Sequence, residues 1–372
     1  MCDELVPVQP DLTDEQWAAT LPPRLTRRGF LAGALGATAG AFLLPELARA
    51  RTTATKVPLP TGTTTRVLVT GDAGTGLAEQ YAVAAAARKL HAERPVDLAI
   101  GLGDNAYEDG VESSTDDEFA SKFEQPNDGL DVPWLMVLGN HDCSGLIPGS
   151  GGYPARGDYQ VAYHEYSPRW YMPRRYYSVP LPAARPVVEF FALDTNPVAS
   201  YVQQTDPYYF WDGPYMRAQR DWLVRGLATS PARWKFVLTH HPYRNNGPHG
   251  NAGAYDGITL GDYTSGSHLK ELFEEVVCGR AQFILSGHDH SSQVLTGDAT
   301  PASRGTEQIV CGASGKSVDG DTNVTNPYHW QDFSSHGFMV LTIRPHLVEV
   351  EAYLVDVPTA TARLAYTHLR EA

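Results

Sequence analysis

The sequence has few cysteines, no long cluster of basic residues and no internal repeat. Its 372 residues have a formal net charge of -14, so the phosphate backbone of a nucleic acid is not an expected partner. The negative charge does not argue against small phosphate esters, because a metal ion can neutralise them locally. Without a repeat, and with 42% hydrophobic residues, the chain has enough apolar residues for one large core, or for one domain and a targeting segment.

The chain also lacks a hydrophobic run of about 20 residues, the length that a membrane-spanning helix needs. The apolar run over 31–44 is shorter, and its glycines weaken a helix. It follows the pair Arg27-Arg28 and precedes Ala48-Arg49-Ala50, a small-x-small cleavage pattern. We therefore predict a twin-arginine signal peptide within 1–50, cut after Ala50 and recognised by the Tat export machinery. The protein would then be periplasmic or secreted, with no stable membrane span after cleavage; a membrane anchor or a core helix are the alternatives.

The cysteine count limits the disulfides of an exported chain. Of four cysteines, Cys2 lies in the predicted signal segment, which leaves Cys143, Cys278 and Cys311. An odd number permits one disulfide and one free thiol. Cys278 with Cys311 is one candidate pair, although the sequence does not fix the pairing. Cys143 is expected to be a small buried residue.

Strand and helix patterns alternate after a threonine-rich linker at 51–65. Short β-branched or apolar runs predict strands over 66–70, 97–101 and 133–138. Helices are predicted over 78–93, which is rich in alanine, and over 115–124, which begins with Ser/Thr and acidic residues. This alternation indicates an α/β (α+β) fold, in which ligands bind at the carboxyl ends of strands.

The second half of the chain continues the pattern within one domain, 66–372. Two segments, 143–180 and 197–213, are rich in aromatic residues and lack a long apolar period, so we interpret them as variable loops, the first with an edge strand over 175–179. Helices are predicted over 215–227 and 268–277. Further strands are predicted over 187–193, 234–239, 282–285, 308–310, 337–343 and 347–354.

Five strand-end stretches offer side chains that bind metal ions. They are Gly71-Asp72-Ala73-Gly74, Gly103-Asp104-Asn105-Ala106-Tyr107, Gly139-Asn140-His141-Asp142, Thr239-His240-His241-Pro242 and Gly287-His288-Asp289-His290. One such stretch would be weak evidence, because an Asp after Gly is often a turn former or a helix cap, and a lone Tyr is usually a packed aromatic. Five in this order indicate a hydrolase with two metal ions, since oxygen and imidazole ligands together suit iron, zinc or manganese.

The set of motifs resembles the calcineurin-like metallophosphoesterases. Tyr107, three residues after Asp104, makes the chain most similar to purple acid phosphatases, and the stretch from Gly103 to Asp142 resembles their small, tartrate-resistant type. The resemblance spans about 66–356. It implies a four-layer α-β-β-α sandwich with two packed mixed sheets and helices outside.

Carried over to this sequence, the resemblance implies a binuclear metal centre of Fe(III) plus a divalent ion (Fe, Zn or Mn). The implied ligands are Asp72, Tyr107 and His290 for Fe(III), Asn140, His240 and His288 for the divalent ion, and Asp104 as the bridge. His141 would face the substrate and protonate the leaving group or hold phosphate. His249 would lie near the phosphate, and His241 receives no role. Asp142 is expected to orient His141 or to cap the turn.

The implied function is an exported acid phosphatase that hydrolyses small phosphate monoesters by attack of a metal-bound hydroxide. An alternative is a phosphodiesterase with two divalent ions that acts on nucleotide or lipid head-group diesters. A third hypothesis is an exported binding protein with a lost active site. No ligand of the set is missing, which disfavours it.

Overall fold

Two seven-stranded mixed β-sheets form the centre of the fold. The computed structural model describes residues 54–298, 300–318, 320, 322 and 325–372. The predicted signal peptide and its cleavage site lie outside these residues. No helix in the described residues is both long and apolar enough to cross a membrane.

The first sheet has the strand order β14-β13-β12-β1-β2-β3-β4. Its strands are β1 (Thr65–Thr70), β2 (Leu98–Gly101), β3 (Trp134–Met136), β4 (Trp170–Tyr171), β12 (His336–Arg344), β13 (Leu347–Asp356) and β14 (Thr361–Glu371). Strands β1 to β4 are parallel, and β12, β13 and β14 continue the sheet in antiparallel pairs. The parallel strands are short apolar runs because both of their faces are covered.

The second sheet has the order β11-β9-β10-β8-β7-β6-β5. Its strands are β5 (Tyr177–Leu181), β6 (Val188–Ala192), β7 (Trp234–Leu238), β8 (Phe283–Ser286), β9 (Ser292–Leu295), β10 (Glu307–Cys311) and β11 (Tyr328–Asp332). Strands β6, β7, β8 and β10 are parallel, so the carboxyl ends of β7 and β8 lie at the same edge.

Helices and turns connect the strands. The α-helices are α1 (Ala78–Glu93), α2 (Pro154–Tyr163), α3 (Pro214–Thr229) and α4 (Ser267–Leu272). Five-residue π-helical segments occur at Ala120–Glu124 and Phe273–Val277, and 3-10 turns occur at His141–Cys143, Asn196–Val198, Pro207–Tyr209, Tyr255–Gly257 and Pro301–Ser303. Proline begins α2 and α3, where its missing N–H has no helical partner to lose.

Two apolar clusters lie on the two faces of the second sheet. The larger cluster lies between the sheets and includes Phe190 and Phe236. The second cluster lies on the other face of the second sheet and includes Phe191 and Val237, the next residue along each strand. Since side chains alternate between the faces of a strand, β6 and β7 supply both clusters. Helix α1 packs on β12, β13 and β14 of the first sheet. The predicted four-layer α-β-β-α sandwich is confirmed.

Several predicted elements match the structure, and others need correction. The helix over 78–93 is found with those bounds, whereas the helix predicted over 115–124 is mainly the π-helical segment Ala120–Glu124. The segment 143–180 is not a plain loop, because it contains α2, β4 and most of β5. Strands β4, β9, β11 and β14 were not predicted.

The described part of the predicted linker is attached to the domain. The backbone N–H groups of Ala54 and Val57 donate hydrogen bonds to the carbonyls of Glu165 and Pro168, both at 3.0 Å. These contacts follow the chain that leads from α2 into β4. Residues 54–57 are therefore held against the domain rather than spanning open solvent.

The candidate disulfide between Cys278 and Cys311 is wrong. Both residues and Cys143 are buried, free thiols. Cys311 belongs to the cluster between the sheets, where its Sγ lies 3.3 Å from the carbonyl oxygen of Val69. Cys278 belongs to the cluster on the opposite face of the second sheet. The sheet itself separates the two sulfur atoms. Cys143 is the small buried residue that the sequence predicts.

Candidate metal centre

The five polar stretches of the sequence meet at one end of the two sheets. Three of them follow β1, β2 and β3 of the first sheet, and two follow β7 and β8 of the second. The strands within each set are parallel, so their carboxyl ends share an edge. The site therefore depends on both sheets, and the carboxyl ends of parallel strands supply it.

One group of donor atoms comes from Asn140, His240 and His288. The Asn140 Oδ1 atom lies 2.7 Å from His240 Nε2 and 3.1 Å from His288 Nδ1. The two imidazole nitrogens are 3.3 Å apart. Atoms at these mutual distances can share one ion with bonds of about 2.0–2.2 Å.

A second group comes from Asp72, Tyr107 and His290. The Tyr107 hydroxyl lies 3.1 Å from Asp72 Oδ1 and 3.3 Å from His290 Nε2. The His290 Nε2 atom is 3.8 Å from the same carboxylate oxygen. A carboxylate, a phenol and an imidazole thus face a common point.

Asp104 lies between these two groups. Its Oδ1 atom is 3.5 Å from His240 Nε2 in the first group. Its carboxylate also accepts a hydrogen bond from the side chain of Tyr107 in the second group. The backbone N–H of His141 donates to Oδ1 at 2.9 Å and fixes the carboxylate. One side chain therefore reaches both groups, as a bridging ligand would.

The backbone at the donors adopts uncommon conformations, and the donor carboxylates lie close to the backbone of neighbouring loops. Asp72, Asp104 and His288 have left-handed φ values of 55°, 52° and 71°. Such conformations cost energy outside glycine and concentrate at functional sites. A Cβ on Gly139 would lie 2.1 Å from Asp104 Oδ1, and one on Gly287 would lie 2.3 Å from Asp72 Oδ2. Glycine is required at both positions because the carboxylates occupy the space of a side chain.

Burial determines the charge states of the donors. Burial lowers the pKa of His240 and lowers that of His288 further, so both imidazoles offer lone pairs. Burial opposes ionisation of Asp104, but the neighbouring His240 and His141 keep its pKa below the ordinary value. Burial, then Asp104 and Asp72, raise the pKa of Tyr107 well above its usual range. A phenolate here needs a strong cation beside it, and the donor set therefore fits a metal centre.

The model of the calcineurin-like phosphoesterase family matches residues 65–292, more than half of the chain. The chain belongs to the calcineurin-like phosphoesterase family. The matched region contains all seven donors described above. The family predicted from the five motifs is therefore confirmed, and with it the hydrolase class of metallophosphoesterases.

Curated relatives of this phosphoesterase are named acid phosphatases. It is 26% identical over 325 residues to Purple acid phosphatase 4 of Arabidopsis thaliana, covering 84% of this chain and 87% of the relative. It is 28% identical over 228 residues to Tartrate-resistant acid phosphatase type 5 of Sus scrofa, covering 59% of each. The resemblance to both types is confirmed. The relatives imply a binuclear metal centre, and clusters such as Asp72, Asp104 and His240 could hold metal ions.

A solved structure has the same fold at low sequence identity. GAP50, described as the anchor in the inner membrane complex of Plasmodium, aligns with a TM-score of 0.58 and 19% identity over 82% of this chain and 88% of that chain. At this identity the likeness concerns the fold alone.

Two further histidines of the phosphoesterase border the donor groups. The His141 Nδ1 atom lies 2.6 Å from the carbonyl oxygen of Glu108, so Nδ1 is the protonated nitrogen. Its Nε2 atom faces the centre, 4.0 Å from Asp104 Oδ2. The ring of His249 lies 4.4 Å from that of His288, and its Nδ1 is 2.7 Å from Asp256 Oδ1. Both histidines thus lie beside the donors without belonging to either group.

His241 is also part of the buried histidine cluster. Its Nδ1 atom lies 2.8 Å from the Thr195 hydroxyl, and its buried Nε2 has no hydrogen-bond partner. One nitrogen each from His240, His241 and His288 lie within 4.8 Å of one another. No role was predicted for this residue, because the family motif does not specify the position.

Asp142 connects the second and third stretches. It accepts five hydrogen bonds: from the backbone N–H groups of Gly139, Asn105 and Ala106 and from the side chains of Asn105 and Gln160, at 2.7–3.0 Å. It therefore caps the turn, as expected. It does not orient His141, whose ring is held by the Glu108 carbonyl. The sequence analysis assigned no role to Asn105 or Gln160. Its one indication of this hydrogen-bonding hub was Asp142 itself, two residues after Asn140.

Three of the four arginines of segment 143–180 are paired with acidic residues. Arg175 contacts the buried Asp194 at 2.8 Å and Asp158 at 2.9 Å. Arg156 lies 3.6 Å from Glu112, and Arg169 forms an ion pair with Glu124. These three guanidinium groups are therefore engaged in holding the segment, which agrees with the interpretation that they pair with the excess acids.

Asp142→Asn should loosen the loops that bear Asp104 and Asn140. The new amide NH2 would face N–H donors, so we expect a loss of about 1–3 kcal/mol in the free energy of unfolding. Urea unfolding with a chelator present measures this without the effect of bound metal. Asp117→Asn, at an exposed position, is the control and should change stability by less than about 0.5 kcal/mol. Equal values for the two variants would contradict the role of Asp142 as a hub.

Proposed function

We propose that this phosphoesterase is an exported binuclear-metal phosphatase that hydrolyses small phosphate monoesters, with acid phosphatase activity. The main support is the complete set of seven donors, with Tyr107 within 3.1–3.3 Å of Asp72 and His290. The names of the curated relatives agree with this activity. The export step rests on the twin-arginine pattern at Arg27-Arg28. The protein would be periplasmic or secreted.

The two donor groups suit two different ions. Asp72, Tyr107 and His290 would hold Fe(III), because a phenol with a raised pKa ionises best beside a trivalent cation. Asn140, His240 and His288 would hold a divalent ion (Fe, Zn or Mn), since their donors are neutral. Asp104 would bridge the ions. When bound, the ions would neutralise the phosphate and lower the pKa of a water that attacks phosphorus.

His141 would transfer a proton to the leaving alkoxide. The Glu108 carbonyl fixes the Nδ1–H, so the Nε2 atom is directed toward the substrate side of Asp104. A second proton on Nε2 can then pass to the oxygen of the departing alcohol. Because His141 is not one of the donors of either group, its removal should leave metal binding intact.

His249 would contact the phosphate from the opposite side. Its Nδ1 faces the carboxylate of Asp256, which also accepts a hydrogen bond from the Tyr201 hydroxyl. The carboxylate holds the Nδ1 side of the imidazole, which leaves the Nε2 side for contact with a phosphate oxygen. His249 and His141 would thus act on two sides of one substrate.

A comparison of monoester and diester hydrolysis tests the proposal against the phosphodiesterase alternative. Metal-loaded protein should hydrolyse p-nitrophenyl phosphate faster than bis(p-nitrophenyl) phosphate, and a chelator should abolish both activities. A dianionic monoester fits two cations better than a monoanionic diester does. Faster diester hydrolysis would favour the alternative, and no hydrolysis of either ester by protein with two bound ions would sink the phosphatase proposal.

His141→Ala should lower kcat by about 10²–10⁴-fold, the usual contribution of general acid–base catalysis. Elemental analysis should find the same metal content as in the wild type. A matched His346→Ala variant changes an exposed histidine in the β12–β13 turn and should keep full activity. An unchanged kcat in His141→Ala would rule out proton transfer by this residue.

Tyr107→Phe should abolish the visible absorption that an Fe(III)–phenolate pair would give. The phenyl ring fills the same space, so the fold should persist while the chromophore is lost. Visible spectra and iron content are to be measured on the same samples, with Tyr81→Phe as a control at a phenol outside the centre. A wild-type protein that is colourless and free of iron would refute the Fe(III) assignment.

A further inference from the structure

A separate cluster of metal-binding side chains lies at the junction of the two sheets. Glu307 comes from β10, His329 from β11 and His368 from β14. One ligand atom from each lies within 4.8 Å of the other two. Glu307 begins β10, whereas the residue after the end of β10, Gly312, approaches Asp72. At about 3.3 Å per residue, the five steps from Glu307 to Gly312 place the cluster about 17 Å along the strand from the candidate metal centre.

The two imidazoles and the carboxylate are in direct contact. The His368 Nε2 atom lies 2.9 Å from Glu307 Oε2. The rings of His329 and His368 are 4.3 Å apart at an interplanar angle of 27°. Burial, and then the charge of His368, lower the pKa of His329. The lowered pKa favours His329 as a neutral imidazole with an available lone pair.

A β-bulge brings His329 into this cluster. Tyr328 pairs with Leu295 and Trp330 pairs with Val294, so His329 is the extra residue of β11. Bulges commonly turn a side chain toward a site. The bulge lets Trp330 stack on Tyr366 of β14 at 5.9 Å while His329 stacks on His368. Neighbouring residues of one strand thus both face β14.

Arg370 binds the Glu307 carboxylate at Oε1, the oxygen that does not contact His368. Its Nη1 atom lies 3.1 Å from Glu307 Oε1. The same guanidinium donates to the carbonyls of Gln282 and Gly305 at 2.9 and 2.8 Å. The arginine is therefore held by the second sheet, and Oε2 of Glu307 is directed toward the histidines. An outer contact of this kind orients a metal-binding carboxylate.

We propose that Glu307, His329 and His368 form a third metal site, for a zinc-type divalent ion, which fastens the C-terminal strand of the first sheet to the second sheet. Two imidazoles and a carboxylate are common zinc ligands, and solvent can complete a tetrahedral site beside the exposed His329. Among the strands of the described residues, β14 is an edge strand, and its pairing partner is β13. An ion that links it to β10 and β11 would therefore oppose fraying of this edge.

Zinc stoichiometry at neutral pH tests the site. The full chain, already loaded at the candidate metal centre, is dialysed against increasing Zn²⁺, and its bound zinc and other metals are measured by elemental analysis. We expect the wild type to bind one equivalent more than either His329→Ala or His368→Ala. The extra equivalent should raise Tm in the wild type and not in the variants.

Two controls keep this result independent of the phosphatase proposal. His346→Ala removes an exposed histidine elsewhere and should retain the extra equivalent. His329→Ala, at an exposed position, should keep the wild-type phosphatase rate, so loss of the third ion and loss of the first two are distinguishable. Equal zinc content in wild type, His329→Ala and His368→Ala, as expected for an ion pair between His368 and Glu307 alone, would overturn the third site.

Discussion

Seven polar side chains share a small volume between the ends of two sheets, and their mutual desolvation is the constraint on which the rest of the structure depends. Asp72 and His240 are fully buried, at 0% exposure. Two acids, a phenol, an amide and two imidazoles are buried, with the half-buried imidazole of His290 beside them, and such a set is unfavourable unless a positive charge joins it. The rings and carboxylates already face common points, so a cation would find its ligands ordered before it arrives.

The backbone holds the donors in this order at a cost in conformational strain. Left-handed conformations at Asp72, Asp104 and His288 store strain, and the five hydrogen bonds accepted by Asp142 hold two of the loops in that geometry. Glycines at 139 and 287 give the carboxylates room. The conformations of the turns therefore follow from the positions that the donor side chains occupy. The strands before the turns hold them in place.

Local sequence patterns were sufficient for much of the fold and for most of the candidate site. Alanine-rich and apolar runs predicted α1 and the parallel strands, because those elements are buried on regular faces. The motifs identified donors that are far apart in sequence, since each follows a strand. Contacts between distant segments could not be predicted from local patterns. Gln160 contacts the site through Asp142, and the bulge at His329 depends on the pairing of β11 with β9. Strand β14 was missed because half of its residues face solvent, which removes the apolar signal.

The donors also lie far apart along the chain, from Asp72 near its first strand to His290 after the eighth. Four donors follow strands of the first sheet and three follow strands of the second, and only the whole stretch 72–290 contains both sets complete. The two sets meet only when the first sheet has docked on the second, because Asn140 follows β3 and His240 follows β7. Ligand convergence thus requires the docked arrangement of the two sheets, and a tightly held ion at this position would mark a chain whose two sheets have already joined.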